Sequence, residues 1–314
     1  MSKPRKTGNQ RLQRQLQIIA DKNGKGIMDK LISNGLGPSE YDNSYGPHTL
    51  IKLSYLNYYL GIFLPIANAR QKRGEVDKII FIDAFSGSGM VKIKDTNYTV
   101  LGSTLLAAND CRFDQIISIE IDKTRADILR ERCDSLSIKN IQVINKDIND
   151  AISAIDLSPR SMILFFIDPE GMEPEFKKFL PLFNKVEHID VMLNYNTTGI
   201  RRVAKRFNKL QNPSDLERMQ KMFLNYDSTS DPTEKLIEFF VNIIGKPKGK
   251  VLEVHRKGKS IAYYIFLVVR QTQGGSKFLN STDEFENYLS KIDGKIVLET
   301  LNIVMGKQST LDIG

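Results

Sequence analysis

The chain has 314 residues, 41% hydrophobic and 26% charged, the composition of a globular protein able to bury a sizeable core. Its three histidines and two cysteines, Cys111 and Cys133, exclude a disulfide scaffold and argue against a His/Cys metal centre. The net charge of +8 admits an acidic partner such as nucleic acid, no apolar run approaches the length that crosses a bilayer, and the basic amino terminus lacks a signal peptide's apolar stretch; a reducing cytoplasm and no membrane are expected.

Residues 1–9 are basic and without period, and disorder is expected there. Leu12, Leu16 and Ile19 recur at helical spacing and predict a helix from Gln10 to about Ala20. Its arginines suit a phosphate backbone, but a solvated amphipathic helix is the plainer reading. Asn34 to Pro47 is rich in Gly, Pro, Asn and Ser and is expected to be loop. A broad apolar surface from Leu50 to Phe63 predicts a helix over His48–Ala67, broken or ended near Pro65. His48 and Lys52 share one face of it; contact with a cofactor or substrate is open to them, and surface positions are the plainer expectation.

The stretch Ile79–Met90, IIFIDAFSGSGM, reads as a buried strand that ends in Asp83 and enters a glycine-rich turn. A loop over Val91–Leu101 follows, then a short helix over Thr104–Asn109 with Ser103 as its N-cap. Strands are predicted at Gln115–Ile119, ending in Glu120 and Asp122, and at Ile141–Ile144, ending at Asp147. Two more are Met162–Ile167, which runs into Asp168-Pro169-Glu170-Gly171, and Ile189–Leu193, which runs into Asn194-Tyr195-Asn196. Helices over Lys123–Ser135 and Ile148–Ile155 alternate with them, which implies a parallel sheet with right-handed crossovers. Gly199–Tyr226 reads as helical, and Thr233–Ile244 as a helix capped by Asp231. Val251–Arg256 and Ile261–Val269 read as an antiparallel hairpin around Lys257–Ser260, and Thr282–Ile292 as a helix before an unassigned tail. The expected organisation is an N-terminal arm (1–45), an α/β domain (46–275) with a helical insertion (199–245), and a helical extension (276–314).

Ligands in open α/β sheets sit beyond the carboxyl ends of the strands. Here those ends carry Asp83, Glu120, Asp147 and Asp168, a pattern core packing does not explain. A carboxylate at Glu120 can accept both hydroxyls of a ribose, and Asp147 is placed for an adenine amino group. Gly87 and Gly89 let a ligand pass close to the backbone, and Phe85 stands in the same turn. A dinucleotide enzyme shares the second-strand acid, but the third glycine is missing and helix entry is delayed.

Five parallel strands followed by a hairpin resemble the class I methyltransferase fold, which implies S-adenosylmethionine as cofactor. The turn D-A-F-S-G-S-G resembles the D-x-F-x-G-x-G motif of nucleic-acid methyltransferases. Asp168-Pro169-Glu170-Gly171 resembles the D-P-P-Y motif of amino-methyltransferases, with Glu170 and Gly171 where the second proline and the aromatic stand. That likeness implies that Asp168 and the Pro169 carbonyl orient a target amine, with Glu170 placed to take a proton. Phe166 and Tyr195 are the candidates to replace the missing stacking ring. Over residues 45–290 the ordered motifs resemble the three-Cys-motif partner protein family (TcmP): Lys52 in a helix, F-I-D-A-F-S-G-S-G, Gly102-Ser103, F-I-D-P-x-G, and Tyr263-Tyr264 in a strand leading to Gly274-Gly275. The resemblance implies a protein partner bearing a three-cysteine, iron–sulfur-like motif.

Arg201, Arg202, Lys205, Arg206 and Lys209 follow the fifth strand with no acid among them, a phosphate-contacting ridge or a solvated face. Two functions are therefore expected to compete. One is an S-adenosylmethionine-dependent methyltransferase acting on a nitrogen of DNA or RNA. The other is a non-catalytic module that binds S-adenosylmethionine or another adenine nucleotide for a three-cysteine partner.

Overall fold

The computed structural model describes residues 7–307 apart from 111, 211, 224–225, 228, 244–247, 258–259 and 270–276. Ahead of the main sheet come α1 (Gly8–Ile19), α2 (Ile27–Ser33), β1 (Asn43–Tyr45) and α3 (Thr49–Lys72). The alternating part comprises β2 (Ile79–Asp83), β3 (Met90–Ile93), β4 (Thr99–Leu101), α4 (Ser103–Ala108), β5 (Gln115–Ile119) and α5 (Lys123–Ser135), then β6 (Ile141–Ile144), α6 (Ile148–Ala154), β7 (Met162–Ile167), α7 (Phe176–Lys185) and β8 (His188–Tyr195). It is followed by α8 (Thr197–Leu210), α9 (Pro213–Met222), α10 (Pro232–Ile243), β9 (Lys248–Lys257), β10 (Ser260–Val269), α11 (Asp283–Leu289) and α12 (Gly294–Val304).

The main sheet has the order β6-β5-β2-β7-β8-β10-β9. Its first five strands run parallel, and β10 lies antiparallel to both β8 and β9. β2 and β7 are buried at every position, as strands covered on both faces must be. Strand alternation sends Ile79 and Phe81 into a core shared with α1, α3, α4, α11 and α12, and sends Ile80 and Ile82 into a second core under α6 to α10. Strand order reverses between β2 and β7, and one reversed strand is slotted in before β9. This is the Rossmann-like fold of class I methyltransferases.

Several elements differ from expectation. α3 continues through Pro65, because Phe63, Leu64 and Ala67 around the proline are buried and that packing outweighs one lost backbone bond. It is 24 residues long and apolar enough to span a bilayer by length and composition, which corrects the expectation that no run reaches that length; 67% of its most apolar window is buried inside the fold. Residues 91–101 form a hairpin of β3 and β4, and the expected loop 34–47 contains β1, which pairs parallel with β3. These strands are too short to show a period. α1 buries Leu12, Leu16 and Ile19 completely, and Arg11 bonds to the Tyr58 hydroxyl (2.7 Å) and Glu284 (2.6 Å). The unassigned tail contains α12, capped by Asp293, whose side chain accepts from the Lys295 amide at 2.9 Å.

Candidate functional site

A cleft of about 180 Å³ opens at the carboxyl ends of the strands, where strand order reverses. The turn after β2 forms its floor. Gly87 has φ +57°, which glycine adopts freely, and a Cβ there would meet only Asn43 Nδ2 at 3.7 Å. Its backbone therefore stands open to the cleft. Gly89 differs, because a Cβ on it would press on Leu129 Cδ1 at 2.8 Å. It packs beneath the turn and does not line the cleft, which corrects its expected role in cofactor contact.

Asp83 also lies beneath the cleft. It is fully buried and accepts from Ser103 Oγ (2.5 Å), Thr104 Oγ1 (2.8 Å) and the Phe85 amide (3.3 Å). Burial pushes its carboxyl up to about 6 against these lowering hydrogen bonds. Asp83 thus braces the turn against α4, and Ser103 serves it; Gly102 is the N-cap of that helix. Glu120 is an acid of the cleft wall beside the turn, only 7% exposed. One oxygen accepts from the Gly87 amide at 2.8 Å and the other from the Asp122 amide at 2.9 Å, so each keeps a lone pair. Asp147 caps α6 through the Asn149 amide (2.8 Å) and lines the same cleft, as do Phe85, Arg125 and Lys146. Ile121 stands there with 66% of its surface exposed, beside buried Ile148. An isoleucine directly after a strand-end acid is the sequence signal for this apolar wall.

A more open cleft of about 400 Å³ adjoins the first. Tyr45, Thr49, Lys52, Asp168 and Glu170 line both and form the junction. Lys52 is buried and ion-paired with Asp168, not a surface residue, because α3 is enclosed on every side along its first turns. Asn194 Nδ2 donates to the other Asp168 oxygen at 2.6 Å. Asn194 Oδ1 is buried with no hydrogen-bond partner among the described residues. Glu170 is exposed and accepts from the Tyr45 hydroxyl at 2.6 Å. Burial first, then Glu170 and Asp168, push that hydroxyl well above its ordinary range. Phe166 and Tyr195 are almost wholly buried in the core, so neither can stack on a substrate; the rings that line the second cleft are Tyr45, His48 and Tyr263.

β1 reaches the junction because a buried ion pair holds the chain before it. Arg132 on α5 and Asp42 have no exposed side-chain surface and meet at 2.6 Å. Arg132 also donates to the Leu36, Gly37 and Ser88 carbonyls. On α8, just past the second cleft, Arg202, Lys205 and Lys209 are exposed. Arg206 does not join them: it is engaged by buried Asp215, with Nε to Oδ2 at 2.6 Å. The Arg201 side chain, Cys111 and Gly274-Gly275 lie outside the described residues.

No protein-family model matches the chain, and no curated protein is significantly similar to it. Solved structures are similar in fold. Protein LPL1258 from Legionella pneumophila is 16% identical, with a TM-score of 0.40 over 73% of this chain and 91% of its own. An O-methyltransferase from Bacillus cereus, solved in complex with SAH, is 15% identical, with a TM-score of 0.38 over 78% and 89%. An rRNA methylase from Streptococcus thermophilus is 11% identical, with a TM-score of 0.35 over 67% and 97%.

Proposed function

We propose that the chain is an S-adenosylmethionine-dependent methyltransferase that modifies a nitrogen of a nucleic acid. The observation that carries the cofactor half is the open Gly87 backbone facing Glu120, with Asp147 farther along the same cleft. Glu120 keeps a lone pair on each oxygen for two ribose hydroxyls, and Asp147 is a carboxylate acceptor for an adenine amine. Ile121 and Ile148 supply apolar cover for a flat base. When bound, S-adenosylmethionine supplies a methyl group on a sulfonium that leaves readily. The protein's part is then chiefly positioning. Asp168 and the Pro169 carbonyl orient the acceptor amine at the junction, and Glu170 is the exposed carboxylate placed to receive its proton. Tyr45, His48 and Tyr263 give rings for stacking a base, and Arg202, Lys205 and Lys209 give phosphate contacts. Calorimetric titration with S-adenosylmethionine tests the reading: the wild type binds at micromolar concentration and Glu120→Ala loses the heat. A silent wild type removes the reading.

The engagement of both Asp168 oxygens by Lys52 and Asn194 favours a second reading. In it the cleft binds the cofactor or another adenine nucleotide without turnover and serves a three-cysteine partner. Labelled-methyl transfer to total cellular RNA and DNA separates the two. Turnover that disappears in Asp168→Ala while cofactor affinity persists supports the enzyme. A wild type that binds cofactor, transfers nothing and co-purifies with a brown, cysteine-rich protein supports the module.

A further inference from the structure

The junction between the clefts carries an unbalanced charge. Lys52 and Asp168 cancel each other in a mostly buried ion pair. Glu170 lines both clefts and has no cation within ion-pair distance among the described residues; its hydrogen-bond donor is the neutral Tyr45 hydroxyl. At the far end of the first cleft, Arg125 and Lys146 match Glu120 and Asp147 in charge. The excess negative charge therefore comes from Glu170 at the junction and from Glu173, which also lines the first cleft and accepts from the Gly171 amide at 2.8 Å. Glu170 is also not a free surface carboxylate. Tyr45 holds it, Asn43 Nδ2 donates to the Tyr45 oxygen at 2.8 Å, and β1 is fixed through the Arg132–Asp42 pair. A carboxylate already held in place pays less side-chain entropy to meet a cation than a mobile one. The upward push on the Tyr45 hydroxyl, due to Glu170 and Asp168 after burial, is the same negative field felt by a neighbour.

We infer that Glu170 makes this site selective for the positively charged, methyl-bearing cofactor over its neutral demethylated product. This rests on the methyltransferase reading above. A methyl group can pass from one cleft to the other only at the junction, so the sulfonium is brought beside Glu170. Before transfer its positive charge meets the unpaired carboxylate. After transfer the sulfur is a neutral thioether, and that attraction is gone. The acid that replaces a proline in the D-P-P-Y-like stretch thereby gains a second role beside proton acceptance: it favours loading with fresh cofactor and release of the spent one.

The test is calorimetric titration of the full chain and of Glu170→Gln with three ligands. These are S-adenosylmethionine, sinefungin (an amine cation in place of the sulfonium) and neutral S-adenosylhomocysteine. Glu170 is exposed, so the substitution leaves the fold intact, and a thermal melt verifies that. The variant is expected to bind both cations about fivefold more weakly, the upper range for an exposed charge pair, and the neutral ligand unchanged. The difference between the two proteins should shrink as salt is raised. A variant that weakens all three ligands equally, or none, overturns the inference while leaving the methyltransferase reading standing. A wild type that binds none of the three overturns both.

Discussion

Asp83 shows why a motif acid and a ligand acid need separating. Sequence places it at the head of the glycine-rich turn, the position of a cofactor contact. In the fold it has no exposed surface, and its oxygens are given to Ser103, Thr104 and the Phe85 amide. Its environment makes a signed expectation about pH. The carboxyl titrates near 6 in the folded chain, above its ordinary value, chiefly because burial disfavours the charge. Between about pH 4 and 6 the folded state holds more protons than the unfolded one, so this group's contribution falls as pH rises. Below that window the contribution is fully present; above it the loss is complete and stays level. Asp83→Asn keeps the shape and removes the charge. Urea unfolding at several pH values should show the variant gaining on the wild type by up to about 3 kcal/mol between pH 4 and pH 7. A difference that does not move with pH would mean that Asp83 is not held at a raised value.

Segment 36–45 is the element on which the junction depends. Arg132 meets Asp42 across 90 positions of sequence and ties the segment to α5 and to the Ser88 carbonyl of the turn. Breaking a buried pair on one side leaves an uncompensated charge, so Arg132→Met should cost about 3–5 kcal/mol of stability. Adding Asp42→Leu should recover much of that loss, because the stranded carboxylate is gone. Hydrogen exchange over residues 36–45 should rise in the single variant beyond what the global loss explains, since Tyr45 and Asn43 ride on the released segment. Unchanged local protection would mean that β1 is fixed by its pairing with β3 alone. This element also marks what sequence could and could not disclose. Apolar runs such as Met162–Ile167 and acids such as Glu120 at strand ends are local signals, and they point to the sheet and to the cleft at its carboxyl edge. Asn43 and Tyr45 reach the site through contacts made far away in the chain, and nothing local announces them. Lys52 misled for a related reason: on an amphipathic helix a lysine belongs to the solvent face, but α3 has no such face along its first turns, and Asp168 supplies the counter-charge from across the sheet.

For the whole molecule, the net charge of +8 says little until its cations are sorted by what already holds them. Arg11 is spent on Tyr58 and Glu284, Arg132 on Asp42, and Arg206 on buried Asp215. Arg202, Lys205 and Lys209 are exposed, and their spacing puts them along one face of α8, which starts just past Tyr195 at the second cleft. If nucleic acid enters the site, that face is where its backbone crosses. Arg206→Glu is a poor probe of this, since it would set a second acid against Asp215 and damage the α8–α9 packing. Lys205→Glu combined with Lys209→Glu alters exposed positions and should leave thermal unfolding unchanged. Each phosphate that a lysine no longer neutralises lowers the slope of log affinity against log salt by about 0.7 for a single strand, so the pair should flatten it by about 1.4. Fluorescence anisotropy of a labelled single-stranded RNA, titrated between about 50 and 200 mM salt, measures that slope. Flattening together with weaker binding assigns the ridge to the phosphate backbone. A slope identical to the wild type shows that α8 presents only a solvated face, and nucleic acid then loses the feature that argued for it.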